Sequence, residues 1–106
     1  MVILLGKGSM KMNESKQQIW YVMFCDEWQS HDSERLQMIT TDPIKVREFI
    51  YKSIINKDVE YDMADDASPT DQANRFIYDW ERLTRRELNN KLSYCYYDYT
   101  YDGDEI

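Results

Sequence analysis

The sequence predicts an α+β fold: an antiparallel sheet of three strands, or of four, with two or three helices packed on one face. Two short runs of strand-like composition come first, two segments with helical periodicity follow, and a tyrosine-rich run lies near the end. A length of 106 residues fits one domain. We assign residues 18–106 to this single domain and expect residues 1–17 to be a flexible leader or an expression remnant.

Composition and alternation predict the first two strands. Residues 19–25 form an apolar run that is rich in β-branched and aromatic side chains and too short for a typical helix. Residues 36–41 alternate in the manner of a strand, with Leu36 and Met38 on the same face. A polar loop joins the two runs, so we expect them to be antiparallel neighbours.

Two helices are predicted from capping residues and apolar periodicity. Asp42 and Ser68 each precede a proline. The Asp or Ser side chain supplies a capping oxygen, and the backbone of the proline suits the first helical turn. The helices should cover residues 43–56 and 69–83. In the second helix the apolar positions recur at i, i+3, i+4 and i+7, namely Ala73, Phe76, Ile77, Trp80 and Leu83.

Three further elements are suggested along the chain. Residues 84–87 match a capping box and predict a short third helix that ends near Leu92. In residues 59–63 apolar and acidic side chains alternate over a short stretch. This stretch is either a fourth strand at the sheet edge or an extended exit from the first helix. The final strand, residues 94–101, carries five of the nine tyrosines, with rings on both faces. The predicted interface joins helix residues to one face of the first strand, which is either Trp20, Val22 and Phe24 or the residues that alternate with them. The helix residues are Phe49, Ile50, Ile54, Phe76, Ile77 and Trp80.

The overall charge restricts the classes of partner. Twenty acidic and 13 basic side chains give a net charge of −7, which disfavours attraction to nucleic acid or to anionic lipid. We therefore expect a protein partner with a basic surface. The opening apolar run is too short for a membrane span, and Cys25 and Cys95 are too few for a disulfide framework, so we expect a cytoplasmic protein without membrane association.

Metal and catalytic chemistry have weak support in the sequence. Asp26, Glu27 and His31 could hold a metal, but their spacing matches no calcium loop and one histidine is too few for a typical zinc site. We expect no cofactor, no metal and no catalytic residue, with a small metal-dependent enzyme as the competing hypothesis. The basic residues Arg82, Arg85, Arg86 and Lys91 alternate with acidic ones, which favours a salt-bridged helix face over direct nucleic-acid contact.

The acidic residues and the terminal tyrosines together form the candidate binding site. Tyrosine offers a large contact area, few rotatable bonds and one polar tip. Carboxylates can imitate the phosphates that a nucleic-acid-binding protein expects. Two alternatives to a binding site remain. Both faces of the tyrosine-rich strand could be buried, and the acidic surface could serve only to maintain solubility. The predicted partner-binding residues are Asp62, Asp65, Asp66, Tyr97, Asp98, Tyr99, Tyr101, Asp102, Asp104 and Glu105.

In its layout, the chain resembles small acidic proteins of bacteriophages and mobile elements. The resemblance covers residues 18–105 and rests on the strands at 19–25, 36–41 and 94–101, the two helices between them and the acidic balance. Some of those proteins are anti-CRISPR or anti-restriction inhibitors. The resemblance implies a non-enzymatic inhibitor that occupies a basic surface of a nucleic-acid-handling protein. The alternative is a structural or adaptor module that forms a homodimer through the tyrosine-rich strand.

Overall fold

The computed structural model describes residues 17–26, 31–63 and 66–103. Within these residues the predicted α+β fold is confirmed, with a three-stranded antiparallel sheet, a separate two-stranded ladder and three helices. None of the helices in this part of the chain is long and apolar enough to cross a bilayer. The strands are β1 (Gln18–Phe24), β2 (Arg35–Thr40), β3 (Glu60–Tyr61), β4 (Leu92–Ser93) and β5 (Cys95–Tyr101), and the helices are α1 (Pro43–Ile55), α2 (Pro69–Trp80) and α3 (Arg85–Lys91).

The main sheet has the order β2-β1-β5, and β1 is antiparallel to both neighbours. Residues 59–63 do not add a fourth strand to this sheet. Strand β3 instead pairs with β4, with Glu60 opposite Ser93 and Tyr61 opposite Leu92. The tyrosine-rich strand is therefore preceded by a short strand that the sequence did not predict.

Local capping explains where the helices begin. The Asp42 carboxylate accepts a hydrogen bond from an N–H in the first turn of α1, and the Ser68 hydroxyl does the same for α2. Thr84 and Glu87 form the predicted capping box at the start of α3, with reciprocal bonds of 2.8 and 3.2 Å. The predicted starts are confirmed, while α2 ends at Trp80, three residues before the predicted end.

The hydrophobic core lies between the helices and one face of the main sheet. Val22 of β1, Ile50 of α1 and Phe76 of α2 are fully buried. The predicted contact between α1 and β1 is present, because the Phe49 and Phe24 rings lie 6.0 Å apart. In α2, Phe76 occupies the centre of the core while Ile77 is only partly buried. Cys25 and Cys95 are free thiols and both are buried, as expected for cysteines that pack as small apolar groups.

Candidate functional site

The main sheet has a second face, on the side opposite the helices. Val22 and Tyr97 are paired across β1 and β5 and point into the core, so their sequence neighbours point the other way. Tyr21 lies between Ile39 and Asp98 on that other side. We call this surface the outer sheet face; it consists of Ile19, Tyr21, Met23, Leu36, Ile39, Tyr96, Asp98 and Thr100.

A β-bulge in β2 places Leu36 on the outer sheet face. Val22 pairs with Met38, but the next residue, Met23, pairs with Leu36, so Gln37 is an extra residue in β2. A shift of one residue exchanges the two faces of a strand. Met38 therefore packs against the core, whereas Leu36 is 46% exposed. The sequence expectation that these two side chains share a face is wrong.

Two phenols and two carboxylates meet on this surface. The Tyr96 hydroxyl donates a hydrogen bond to the Glu34 carboxylate. Partial burial, and then this bond and the charge of Glu34, raise the pKa of Tyr96. Partial burial, and then the negative charges of Asp98 and Glu34, raise the pKa of Tyr21. Both phenols therefore stay neutral at physiological pH beside negatively charged neighbours.

The same surface presents aliphatic side chains to solvent. Leu36 is 46% exposed and Ile39 is 51% exposed, on the strand beside Tyr21. Protein-binding surfaces often combine exposed apolar groups with tyrosine rings and charged groups. The apolar groups supply area that a partner buries, and the polar groups fix the orientation of the partner. The outer sheet face is thus a mixed aliphatic, phenolic and acidic surface.

Among the predicted site residues that the structure describes, Asp98 alone lies on the outer sheet face. Its carboxylate forms a 3.3 Å ion pair with Arg85 of α3 and accepts a 2.7 Å hydrogen bond from the N–H of Tyr99. The aspartate keeps about two-fifths of its side chain exposed. A carboxylate has four lone-pair sites, so these two bonds leave acceptor capacity for an approaching cation.

The expectation that Tyr97 presents its ring to a partner is contradicted by its burial. Tyr97 is only 3% exposed, and its ring stacks on Trp80 at 5.3 Å. The strand alternation turns Cys95 and Tyr97 toward the helices, and burial raises the pKa of Tyr97 to about 12. This side chain holds α2 against the sheet.

Tyr99 and Tyr101 lie on the helix side of β5, near the end of that strand. The Tyr99 ring lies 4.8 Å from the Trp20 ring, and the Arg85 guanidinium lies 5.6 Å above it. Tyr101 meets Tyr99 edge to face at 5.9 Å and is 41% exposed. These two rings can be reached at the strand end, but they do not belong to the outer sheet face.

The other predicted aspartates that the structure describes lie at two separate places. Asp62 and Asp66 border a polar cleft of about 440 Å³, where the Asp62 N–H donates a 2.7 Å hydrogen bond to the Lys91 carbonyl. The Asp102 N–H donates to the Gln17 carbonyl at the far end of β5. A strand of seven residues separates the two ends by roughly 20 Å, so these groups do not form one patch. Asp65, Asp104 and Glu105 lie outside the described residues.

Sequence reasoning missed Tyr21, Leu36, Ile39 and Tyr96 as surface candidates. One signal for the outer sheet face was available, because Asp98 and Thr100 are polar and alternate with the tyrosines on the side of Tyr96. The described ranges contain no group of three or more His, Cys, Asp or Glu side chains that could hold a metal. No family model, curated protein or solved structure matches this chain.

Proposed function

We propose that the chain is a non-enzymatic binding protein that docks its outer sheet face on a basic surface of a partner protein. The observation that carries the proposal is the convergence of Tyr21, Tyr96, Glu34 and Asp98 around exposed aliphatic groups on one sheet face. Tyrosines are enriched among residues that dominate binding energy, and negative groups beside them select for lysine and arginine on the partner.

The apolar and charged parts of this surface have different roles. Leu36 and Ile39 supply area that a partner can remove from water, at about 25 cal/mol per Å² of apolar surface. Glu34 and Asp98 complement cations and speed up encounter, because the whole molecule carries a net charge of −7. Binding should therefore weaken as salt increases, without disappearing.

The partner class that we propose is a nucleic-acid-handling protein whose basic groove the chain occupies. Proteins that bind phosphate backbones use grooves rich in lysine and arginine, and an acidic surface can compete for such a groove. Because the chain resembles small inhibitors of bacteriophages and mobile elements in its layout, we place the proposed role among anti-CRISPR or anti-restriction inhibitors. The inhibition would be competitive with nucleic acid.

The test compares two exposed isoleucines in different parts of the molecule. Affinity capture from the source cell followed by mass spectrometry identifies candidate partners, which are then purified. The dissociation constant is measured from about 50 mM to about 500 mM salt for the wild type, Ile39→Ser and Ile44→Ser. Ile39 lies on the outer sheet face at 51% exposure, and Ile44 lies on α1 at 40% exposure.

We expect Ile39→Ser to weaken binding about tenfold, because removing the side chain from a buried interface forfeits about 1.5 kcal/mol. The matched Ile44→Ser should bind like the wild type. Equal affinities for the two variants would reject the outer sheet face as the site. If the partner bound nucleic acid and this protein simultaneously, the inhibitor role would be rejected.

A second candidate function is self-association, which the exposed Leu36 and Ile39 also favour. Pairing through the free edge of β5 is hindered, since the Asn89 side chain hydrogen-bonds both backbone groups of Tyr97 there. We expect self-association to use the outer sheet face, because its exposed aliphatic side chains can be buried between two copies. Light scattering separates the two functions, because apolar dimerisation persists at high salt and like-charge repulsion between acidic copies diminishes there.

A further inference from the structure

We propose that the exposed side of α2, together with the turn that follows it, is a second interaction surface, which binds an acidic segment of a protein through Arg75, Tyr78 and Arg82. Arg75 and Tyr78 are three residues apart on the exposed side of α2. Arg82 lies in the turn after the helix and continues the same stripe, because its guanidinium stacks on the Tyr78 ring. The opposite stripe, with Ala73 and Phe76, is buried in the core. This surface is distinct from the outer sheet face.

The Arg82 guanidinium is held in place by two contacts with Tyr78. Its Nη1 donates a 2.6 Å hydrogen bond to the Tyr78 carbonyl oxygen. Its central carbon lies 3.8 Å from the centroid of the Tyr78 ring, which is the geometry of a cation–π contact. The tyrosine ring remains 53% exposed, so the stacked pair faces solvent.

Arg75 lies beside the same ring and is held in place by a hydrogen bond to the buried Asp79. Its Nε donates a 3.1 Å hydrogen bond to Asp79, whose side chain is 4% exposed, while the arginine side chain is 50% exposed. The guanidinium lies 5.3 Å from the centroid of the Tyr78 ring. Because an arginine carries five N–H donors in a planar fork, using Nε for Asp79 leaves the Nη groups for a second carboxylate.

Restricted guanidinium groups favour binding because little further side-chain freedom is lost when a ligand arrives. Arginine and tyrosine are also the residue types most enriched in binding hot spots. The charges that complement carboxylates here are the two guanidinium groups themselves, both of which lie at the exposed Tyr78 ring. These observations identify the ligand as a short acidic segment.

The charge distribution disfavours nucleic acid as the ligand of this stripe. Affinity for a phosphate backbone grows with the number of phosphates that are neutralised, and this stripe offers two guanidinium groups. The net charge of −7 repels a long polyanion more than a short segment with a few carboxylates. An acidic segment needs only one or two charge-assisted contacts.

The test measures fluorescence anisotropy with three labelled probes: a glutamate–serine peptide, a lysine–serine peptide and an oligothymidylate. The variants are Arg82→Gln and, as a control with the same charge change, Lys52→Gln on the exposed part of α1. We expect Arg82→Gln to bind the acidic peptide about three- to fivefold more weakly than the wild type, the range of an exposed ion pair. Lys52→Gln should change this affinity less than about twofold.

A third variant, Tyr78→Ser, removes the ring and keeps both arginines. We expect it to weaken binding of the acidic peptide as well, because the ring positions the guanidinium of Arg82. Equal losses for Arg82→Gln and Lys52→Gln would overturn the proposal, and so would tighter binding of the oligothymidylate than of the acidic peptide. Self-association that disappears in Arg82→Gln would also overturn it, since a second copy would then be the ligand. The lysine–serine peptide reports on the outer sheet face, so its binding should not respond to Arg82→Gln.

Discussion

The phenol of Tyr61 donates a 2.6 Å hydrogen bond to the carboxylate of Asp79, and both residues are nearly inaccessible to solvent. Arg75 donates to the same carboxylate at 3.1 Å, and the Lys91 ammonium lies 3.9 Å from it. The buried negative charge is therefore balanced by donors from three elements, namely β3, α2 and α3. This network connects the two-stranded ladder to the helical layer.

Loss of the Tyr61 hydroxyl should destabilise the fold. The Tyr61→Phe variant keeps the ring but deprives a buried carboxylate of a donor, so we expect the free energy of unfolding to fall by about 1–2 kcal/mol. Urea unfolding measures the change. The control is Tyr78→Phe, whose hydroxyl belongs to a half-exposed side chain and whose effect should stay within about 0.5 kcal/mol. Equal losses in the two variants would contradict the structural role of this bond.

Because of this hydrogen bond, the free energy of unfolding should decrease at alkaline pH. Burial, and then the hydrogen bond to Asp79 and its negative charge, raise the pKa of Tyr61 well above its usual value. The folded state thus keeps a proton that the unfolded chain releases near pH ~10. The stabilisation is complete below that pH and is lost as the pH rises toward the folded pKa, at up to about 1.4 kcal/mol per pH unit for each such phenol.

We expect urea unfolding to show a decline that begins above about pH 8.5, because burial raises the pKa of the Cys25 and Cys95 thiols, and that steepens above about pH 10 as the phenols of the unfolded chain ionise. Tyr97, with a pKa raised to about 12 by burial, should contribute to this decline. The Tyr61→Phe variant should lose stability less steeply than the wild type above about pH 10, because one linked proton is absent. Parallel slopes for the two proteins would show that Tyr61 is not the linked group.

The core around Phe76 should be the most sensitive part of α2. Phe76 is fully buried and meets Tyr61 and Trp80 edge to face at 5.5 and 5.7 Å. We expect Phe76→Ala to cost about 3–5 kcal/mol, since it removes buried area and leaves a cavity. Ile77→Ala, at a partly buried position, should cost less than about 2 kcal/mol. Thermal melts compare the two variants. If the melting temperature of Ile77→Ala were equal to or lower than that of Phe76→Ala, α2 would turn a different side toward the core.

The predictable parts of the fold are those with local signals. Asp42, Ser68 and Thr84 cap their own helices through side-chain oxygens within three residues, so each start could be read from a few neighbouring positions. The apolar periodicity of α2 likewise identified Phe76 and Trp80 as members of the packed face. The end of α2 was predicted less well, because Leu83 packs on the core from the turn after the helix.

The unpredicted parts depend on contacts distant in sequence. The pairing of Tyr61 with Leu92 joins residues that no local pattern relates. The bulge at Gln37 leaves no mark in the alternation of β2, yet it moves Leu36 to the outer sheet face. In β5 both faces carry tyrosines, so periodicity alone could not show that Tyr97 is inside. Of the predicted site residues, Asp98 lies on the outer sheet face, whereas Tyr97 is buried in the core.

The side chain of Asn89 caps the free edge of β5 at Tyr97. Its Nδ2 donates a 2.8 Å hydrogen bond to the Tyr97 carbonyl, and its Oδ1 accepts a 3.1 Å bond from the Tyr97 N–H. The amide thereby takes the place that a backbone group of another strand would occupy. Edge strands with open backbone groups are sites where second chains add, so this contact should limit association through β5.

We expect Asn89→Ala to have two effects that arise from the same exposed backbone. The free energy of unfolding should fall by about 1–3 kcal/mol, because two partly buried hydrogen bonds are lost. The apparent molar mass in light scattering should rise with protein concentration more than for the wild type, because β5 can then pair with another copy. The neighbouring Asn90 is exposed and borders the polar cleft instead, so Asn90→Ala is the matched control for both measurements. If Asn89→Ala remained monomeric with the stability of Asn90→Ala, the amide would not be what protects this strand edge.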